Sequence, residues 1–411
     1  MLEDVLHRDN LNQAYLKVVQ NKGTAGVDGR DTTELKHQIS EEWTDVHERL
    51  LSGTYQPSPI RRVKIPKPDG GQRKLGIPTV MDRLIQQALN LYLQPIYDPA
   101  FSEHSYGFRP GRRAHDAVRK AKQYINEGYT WVVDIDLEKF FDTVNHDRLM
   151  RTLSHRIQDG RILRIIRKYL QAGMMDQGVT QANTMGTPQG SPLSPLLSNI
   201  VLDEWDKEME KRGIRFVRYA DDCQIYAGSR KAAERIFRKM TRFLEKTMRL
   251  KVNQTKSAVD RPWKRKFLGF SFTASSKGNS KIRVHRTSLE RAKDRIRTIT
   301  SRRWSISMED RIKKLNQFLV GWRNYFALAE TPTPFRRMME WIRRRLRMIR
   351  WKEWKTPKTR KRKLRGLGVS PAKAHEWGNT RKGYWRVACS PILHHTLNDA
   401  YWRRLGLKSL I

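Results

Sequence analysis

Three aspartates stand where apolar strands give out. Trp131-Val132-Val133-Asp134-Ile135-Asp136 reads as a buried strand that ends in carboxylates. Asp221-Asp222 falls between Phe216-Val217-Arg218-Tyr219 and Cys223-Gln224-Ile225-Tyr226, the pattern of a hairpin with acids at or beside its turn. Buried strands seldom end in acids without cause, because an unpaired carboxylate in an apolar setting costs several kcal/mol. Phosphoryl transfer is a chemistry that uses such a set. Its catalysis is mostly positioning and neutralisation of the charge that builds on the attacking and leaving oxygens. Two Mg²⁺ ions roughly 3.5–4 Å apart can do this, and they require hard oxygen ligands such as Asp. Taken singly, each acid also fits a solvated turn residue; the set is what points to a site.

The elements around these acids read as a mixed α/β domain with an antiparallel sheet. The first sixty residues are helical and then broken by a glycine-rich loop from Asn21 to Gly29, which brings two basic groups, Lys22 and Arg30. From Arg61 to Ile77 short strands flank Pro66-Lys67-Pro68-Asp69-Gly70-Gly71, a hairpin signal with basic residues at base and tip. Ser194-Pro195 predicts a helix start with Ser as the cap and Pro at the first helical position. Beyond residue 285 three amphipathic helices follow one another, on stripes such as Ile312, Leu315, Leu319 and Phe326. Their apolar stripes are a bundle core, but Trp341 to Arg365 also holds a dense run of Arg and Lys with one acid, Glu353.

Composition narrows the partner. The chain has 411 residues, enough for more than one core. Its 82 Lys and Arg against 42 Asp and Glu give a net charge of +40, which calls for a polyanion, and nucleic acid is the natural one. Disorder is hard to reconcile with 12 Trp, 13 Tyr and 13 Phe. No stretch approaches the roughly 20 apolar residues of a spanning helix, so no membrane partner is expected. Cys223 and Cys389 stand alone with no CxxC, which supports neither a disulfide framework nor a zinc cluster and fits a reducing cytoplasm.

Tyr219-Ala220-Asp221-Asp222 resembles the Y-x-D-D box of reverse transcriptases, Asp136 to Asp142 their first carboxylate motif, and Gly186-Thr187-Pro188-Gln189-Gly190-Ser191-Pro192-Leu193-Ser194-Pro195 the loop between. Order and separation match, and the loop is similar to the group II intron branch in particular. Tyr106-Gly107-Phe108-Arg109-Pro110, Gly321 to Phe326 and Trp341 to Arg347 extend the likeness over nearly the whole chain.

The resemblance implies a right-hand polymerase, with fingers and palm over 1–285, an α-helical thumb or maturase domain over 286–365, and a small basic DNA-binding domain over 366–411. It implies that Asp136, Asp221 and Asp222 bind two Mg²⁺, with Mn²⁺ as an alternative. Phe141 sits where the family places a gate against the ribose 2′-hydroxyl, although Phe140 beside it is the other candidate. Lys67 and Arg73 would hold the triphosphate; Gln189, Gly190 and Lys256 match positions near the incoming nucleotide. Lys22, Arg30, Arg109, Arg343, Arg344 and Arg347 are the expected nucleic-acid contacts, since basic side chains neutralise phosphates.

The implied activity is RNA-directed DNA synthesis for a mobile group II intron. Its partners would be intron RNA, an RNA template with a DNA primer, target DNA and dNTPs, and it would also assist splicing. The endonuclease module that such introns often encode is not expected here, as in class C introns. A splicing cofactor with a vestigial polymerase site, an RNA polymerase copying RNA, and a retron or host-defence enzyme are the rival readings. The complete carboxylate set, Phe141, and the long thumb with its basic tail weigh against them in turn.

Overall fold

Branched apolar residues alternating with basic ones form a hairpin in a computed structural model of the chain, which describes residues 1–66, 70–176, 179–181, 185–187, 190–274 and 279–411. The hairpin pairs β1 (Ile60–Pro66) with β2 (Gln72–Ile77), Ile65 opposite Arg73. Further strands of the same unit are β3 (Trp131–Ile135), β4 (Met174–Asp176), β5 (Val179–Gln181), β6 (Arg215–Tyr219), β7 (Asp222–Ala227) and β8 (Ala258–Asp260). They make two sheets, one ordered β2-β1-β4-β5 and the other β6-β7-β3-β8. The second sheet is antiparallel throughout, as the strand and hairpin pattern predicts.

Alternation decides which face of that sheet is buried. Val133, Ile135, Cys223 and Ile225 join one core with Trp205 and Met209 of the Ser194–Lys211 helix and Ala233 and Met240 of the Arg230–Arg242 helix. The intervening positions of β3 and β7, Asp134 and Gln224, face the other way. The Ser194 helix begins where the sequence places it, but Ser194 is its first helical residue and Leu193 holds the cap position without a side-chain capping bond. Pro195 is thereby in the first turn, where its missing N–H costs nothing.

Contacts divide the chain into two compact units, Met1–Arg261 and Pro262–Ile411. The division precedes the 285/286 boundary read from the sequence, because the hairpin of β9 (Phe270–Phe272) and β10 (Ile282–Val284) belongs with the helices that follow. Phe270 packs its ring on Phe326 at 5.0 Å and on Tyr325 at 5.7 Å. The three expected helices span Arg286–Ile299, Met308–Phe326 and Thr333–Glu353. Their stripes are buried, with Ile296, Leu315, Leu319, Ile342 and Leu346 almost fully covered. Short helices from Pro357 to Arg404 complete this unit. Among the described residues no helix is long and apolar enough to cross a membrane.

Candidate active site

The register of the antiparallel sheet brings two distant acids together. The last paired residues of β3 and β7 are Ile135 and Cys223, and continuing that register by one step would set Asp136 opposite Asp222. Directly opposed residues of antiparallel strands have Cα atoms about 4.5–5.5 Å apart. Both acids fall on the face away from the Ile135–Cys223 core, and each is partly exposed. Asp221 sits beside them in the two-residue turn that joins Tyr219 to Asp222. Ala220, the first turn residue, has φ +58°, the positive φ that primed hairpin turns require.

Asp136 is tied from its other side as well. Its backbone N–H donates to Ser257 Oγ at 3.0 Å, and the Asn253 N–H donates to its carbonyl at 2.8 Å. That strap carries Lys256 to the same cleft. A cavity of about 410 Å³ is lined by Asp136, Asp221, Arg73, Phe141 and Lys256, all within the first unit. Lys74, Lys139 and Asp142 also reach it. Both Phe140 and Phe141 reach the cavity, but Phe140 turns into the core at 2% exposure, while Phe141 is only partly covered.

The loop before the Ser194 helix is stitched to this cleft through its backbone. Thr187 N–H donates to the Phe141 carbonyl at 2.6 Å and Gly186 N–H to Val144 at 2.9 Å. Gly190 has φ +113°, and a β-carbon there would meet the Gly76 carbonyl of β2 at 2.6 Å. Glycine is therefore required by both conformation and space. Lys67 and Gln189 lie outside the described residues.

Several basic residues expected to meet nucleic acid are occupied by the fold instead. Arg109 is buried; its guanidinium binds Asp98 at 2.8 Å and the carbonyls of Ser102, Ser105 and Asp98. Arg347 is also buried, donating to the Ala388 carbonyl at 2.9 Å and facing His394 Nε2 at 3.1 Å. Arg343 pairs with Asp399 at 2.8 Å, and Arg344 stacks over Trp385 at 3.8 Å. These arginines fasten the Thr333–Glu353 helix to the segment that follows it. A guanidinium whose donors are spent on neighbouring acceptors has little left for phosphate. In the first unit Lys22 is exposed and Arg30 pairs with Glu42 at 2.7 Å.

Among the described residues no three His, Cys, Asp or Glu side chains are gathered closely enough to hold a metal by themselves. The donors nevertheless suit Mg²⁺, which keeps several waters and is bound through one or two carboxylates together with substrate phosphates. Asp136 and Asp222 would supply the carboxylates, with Asp221 a third nearby, and Arg73 and Lys256 of the cavity lining would favour the phosphates.

Comparison with known proteins shows the family. The family description "Reverse transcriptase (RNA-dependent DNA polymerase)" matches residues 65–272, half of the chain, and the chain belongs to that family. A group II intron, maturase-specific domain matches residues 289–368. The two together are the domain pairing of a group II intron reverse transcriptase and maturase. Protein YkfC of Escherichia coli strain K12 is 35% identical over 289 residues, which cover 61% of this chain and 76% of that protein. The group II intron-encoded protein LtrA of Lactococcus lactis subsp. cremoris is 36% identical over 222 residues, 52% of this chain and 36% of that protein. A solved chain of a partial Cas6-RT-Cas1--Cas2 complex is 25% identical with a TM-score of 0.38, covering 59% of this chain and 42% of that one. Divalent-metal dependence and nucleic-acid binding come with the family.

Proposed function

We propose that this chain extends a DNA primer on group II intron RNA, with Asp136, Asp221 and Asp222 holding two Mg²⁺ ions, or Mn²⁺ in their place. The observation that carries the reading is the register that opposes Asp136 to Asp222, with Asp221 in the adjoining turn. Bound there, the ions would activate the primer 3′-hydroxyl and neutralise charge on the transferred phosphoryl group. Arg73 and Lys256 line the same cleft; with Lys67 they bind the triphosphate, Arg as a planar fork and Lys as a point charge. Phe141 narrows the space at the sugar and rejects a 2′-hydroxyl, while Gln189 and Gly190 lie against the incoming nucleotide. The second unit binds intron RNA to assist splicing, for which the maturase-specific match over 289–368 is the support. Target DNA is the further partner, met by the basic segment after residue 365, and the cytoplasm is the place of action.

The test is primer extension by purified protein with Mg²⁺, an RNA template and dNTPs. Asp222→Ala should abolish synthesis and leave RNA binding intact. Synthesis that survives the substitution would overturn the site assignment.

A further inference from the structure

Arg218 faces the core from β6 beside Phe216, opposite Cys223, and neither it nor Asp206 has any exposed side chain. Asp206 accepts from Arg218 Nε at 2.8 and 3.0 Å and from Nη2 at 2.5 Å. The remaining nitrogen reaches past this ion pair: Nη1 donates to Asn199 Oδ1 at 3.0 Å and to the Ala220 carbonyl at 2.8 Å.

A buried ion pair is weak evidence for stability, since well-packed apolar residues often do as well in its place. No apolar side chain, however, could donate to Ala220. That carbonyl belongs to the peptide leading into Asp221, and Ala220 itself is left-handed, a conformation that a residue with a β-carbon keeps only when its surroundings hold it. Asn199 supplies a second hold. Its Nδ2 donates to the Gly107 carbonyl at 2.9 Å, and Gly107 is pressed against the same turn. One guanidinium fork thus joins the Ser194–Lys211 helix, the hairpin and the 104–107 segment at the base of the turn. A lysine ammonium could neutralise Asp206, but it lacks the fixed planar fork that reaches Asn199 and Ala220 as well.

We infer that Arg218, oriented by Asp206 and Asn199, is a positioning residue that sets the geometry of Asp221 and Asp222 for metal binding. The inference rests on the proposed function, and it assigns to the ion pair a role in metal affinity over and above folding. Groups that orient metal ligands typically change affinity by about 10–100-fold when altered.

The experiment compares the wild-type protein with Arg218→Lys and Asn199→Ala, the second of which keeps the ion pair. Mn²⁺ binding is followed by loss of the free-ion electron paramagnetic resonance signal, with a dideoxy-terminated primer on an RNA template and the next dNTP present. Primer extension against Mg²⁺ concentration, primer–template Kd and Tm are measured in parallel. The expected result is a rise of roughly 10-fold or more in the half-saturating concentration of both ions, with primer–template Kd unchanged. If Arg218→Lys does not fold, the Asn199→Ala arm decides. Unaltered ion affinity in a folded variant, with any loss of activity following Tm alone, would overturn the inference. A wild-type protein that neither binds the ions nor extends a primer would instead overturn the functional reading beneath it.

Discussion

Gly107 lies so close to the Tyr219–Ala220 peptide that a β-carbon on it would stand 2.2 Å from the Ala220 nitrogen. The two segments are laced together, Tyr106 N–H donating to the Arg218 carbonyl and Arg218 N–H to the His104 carbonyl, both at 2.9 Å. The obstructing atoms are backbone and cannot rotate aside, so Gly107→Ala must push the loop off the turn that carries Asp221. A displacement of about 1 Å at a reacting centre can cost on the order of 100-fold in rate. Gly107→Ala is therefore expected to lower the primer-extension rate by about that factor while template binding persists, and single-turnover extension with a gel-shift control measures both. Extension at the wild-type rate would mean that the loop does not set the turn.

Phe140 and Phe141 are neighbours with opposite fates. Both line the cleft beside Asp136, but Phe140 is 2% exposed in the core, whereas Phe141 is only partly covered. Phe140→Ala should remove roughly 3–5 kcal/mol of stability, seen as a large fall in Tm, without a change in sugar preference. Phe141→Ala should leave Tm nearly unchanged and raise rNTP use relative to dNTP by about 10–100-fold, the range that a modest steric difference provides. Competition between rNTP and dNTP at one template position reads this directly, and equal rejection by the variant would remove Phe141 as the gate.

The acids and their hairpin were legible because strand alternation and turn position are local signals; Asp136, Asp221 and Asp222 each end or interrupt an apolar run. What would bring Asp136 to Asp222 is a register between strands roughly ninety residues apart along the chain, and no local pattern fixes that. The fate of the basic residues was the least legible part. Arg109, Arg343 and Arg347 read as charge on a surface, yet their partners Asp98, Asp399 and the Ala388 carbonyl are revealed only by tertiary packing. Arg218 did leave a trace. It stands in an apolar strand between Val217 and Tyr219, where a cation needs a buried partner, but the sequence does not say that the partner is Asp206. The glycine requirement at 190 is similar, since the Gly76 carbonyl that enforces it lies on a different hairpin.

Asp203, one turn before Asp206 on the same helix, gives a pH signature. Burial first and the Asp206 charge second raise its carboxyl from 3.8 to about 6. Because the folded pKa lies above the unfolded one, the folded state holds this proton more tightly. The stability tied to it is fully present below about pH 4 and is lost as pH rises through 6. Asp203→Asn removes the ionisable group, so the variant should be more stable than wild type at pH 8, by up to roughly 3 kcal/mol, and should match it near pH 4. Tm measured for both proteins from pH 4 to 8 checks the sign; curves that stay parallel would show that Asp203 does not titrate in this window.

Arg347 and Lys22 separate fastening from binding. A basic residue that neutralises an RNA phosphate releases counterions, so removing it should lower the slope of log affinity against log salt by about 0.7–0.9. Arg347 is buried, and its donors go to the Ala388 carbonyl and His394. Arg347→Ala should therefore cost about 1–3 kcal/mol of stability by stranding those acceptors, with the salt slope unmoved. Lys22 is exposed at the start of the glycine-rich loop, and Lys22→Ala should do the reverse, lowering the slope without altering Tm. Filter binding across a salt series, paired with thermal unfolding, distinguishes the two. A lowered slope for Arg347→Ala at unchanged Tm would place that residue on the nucleic-acid surface instead.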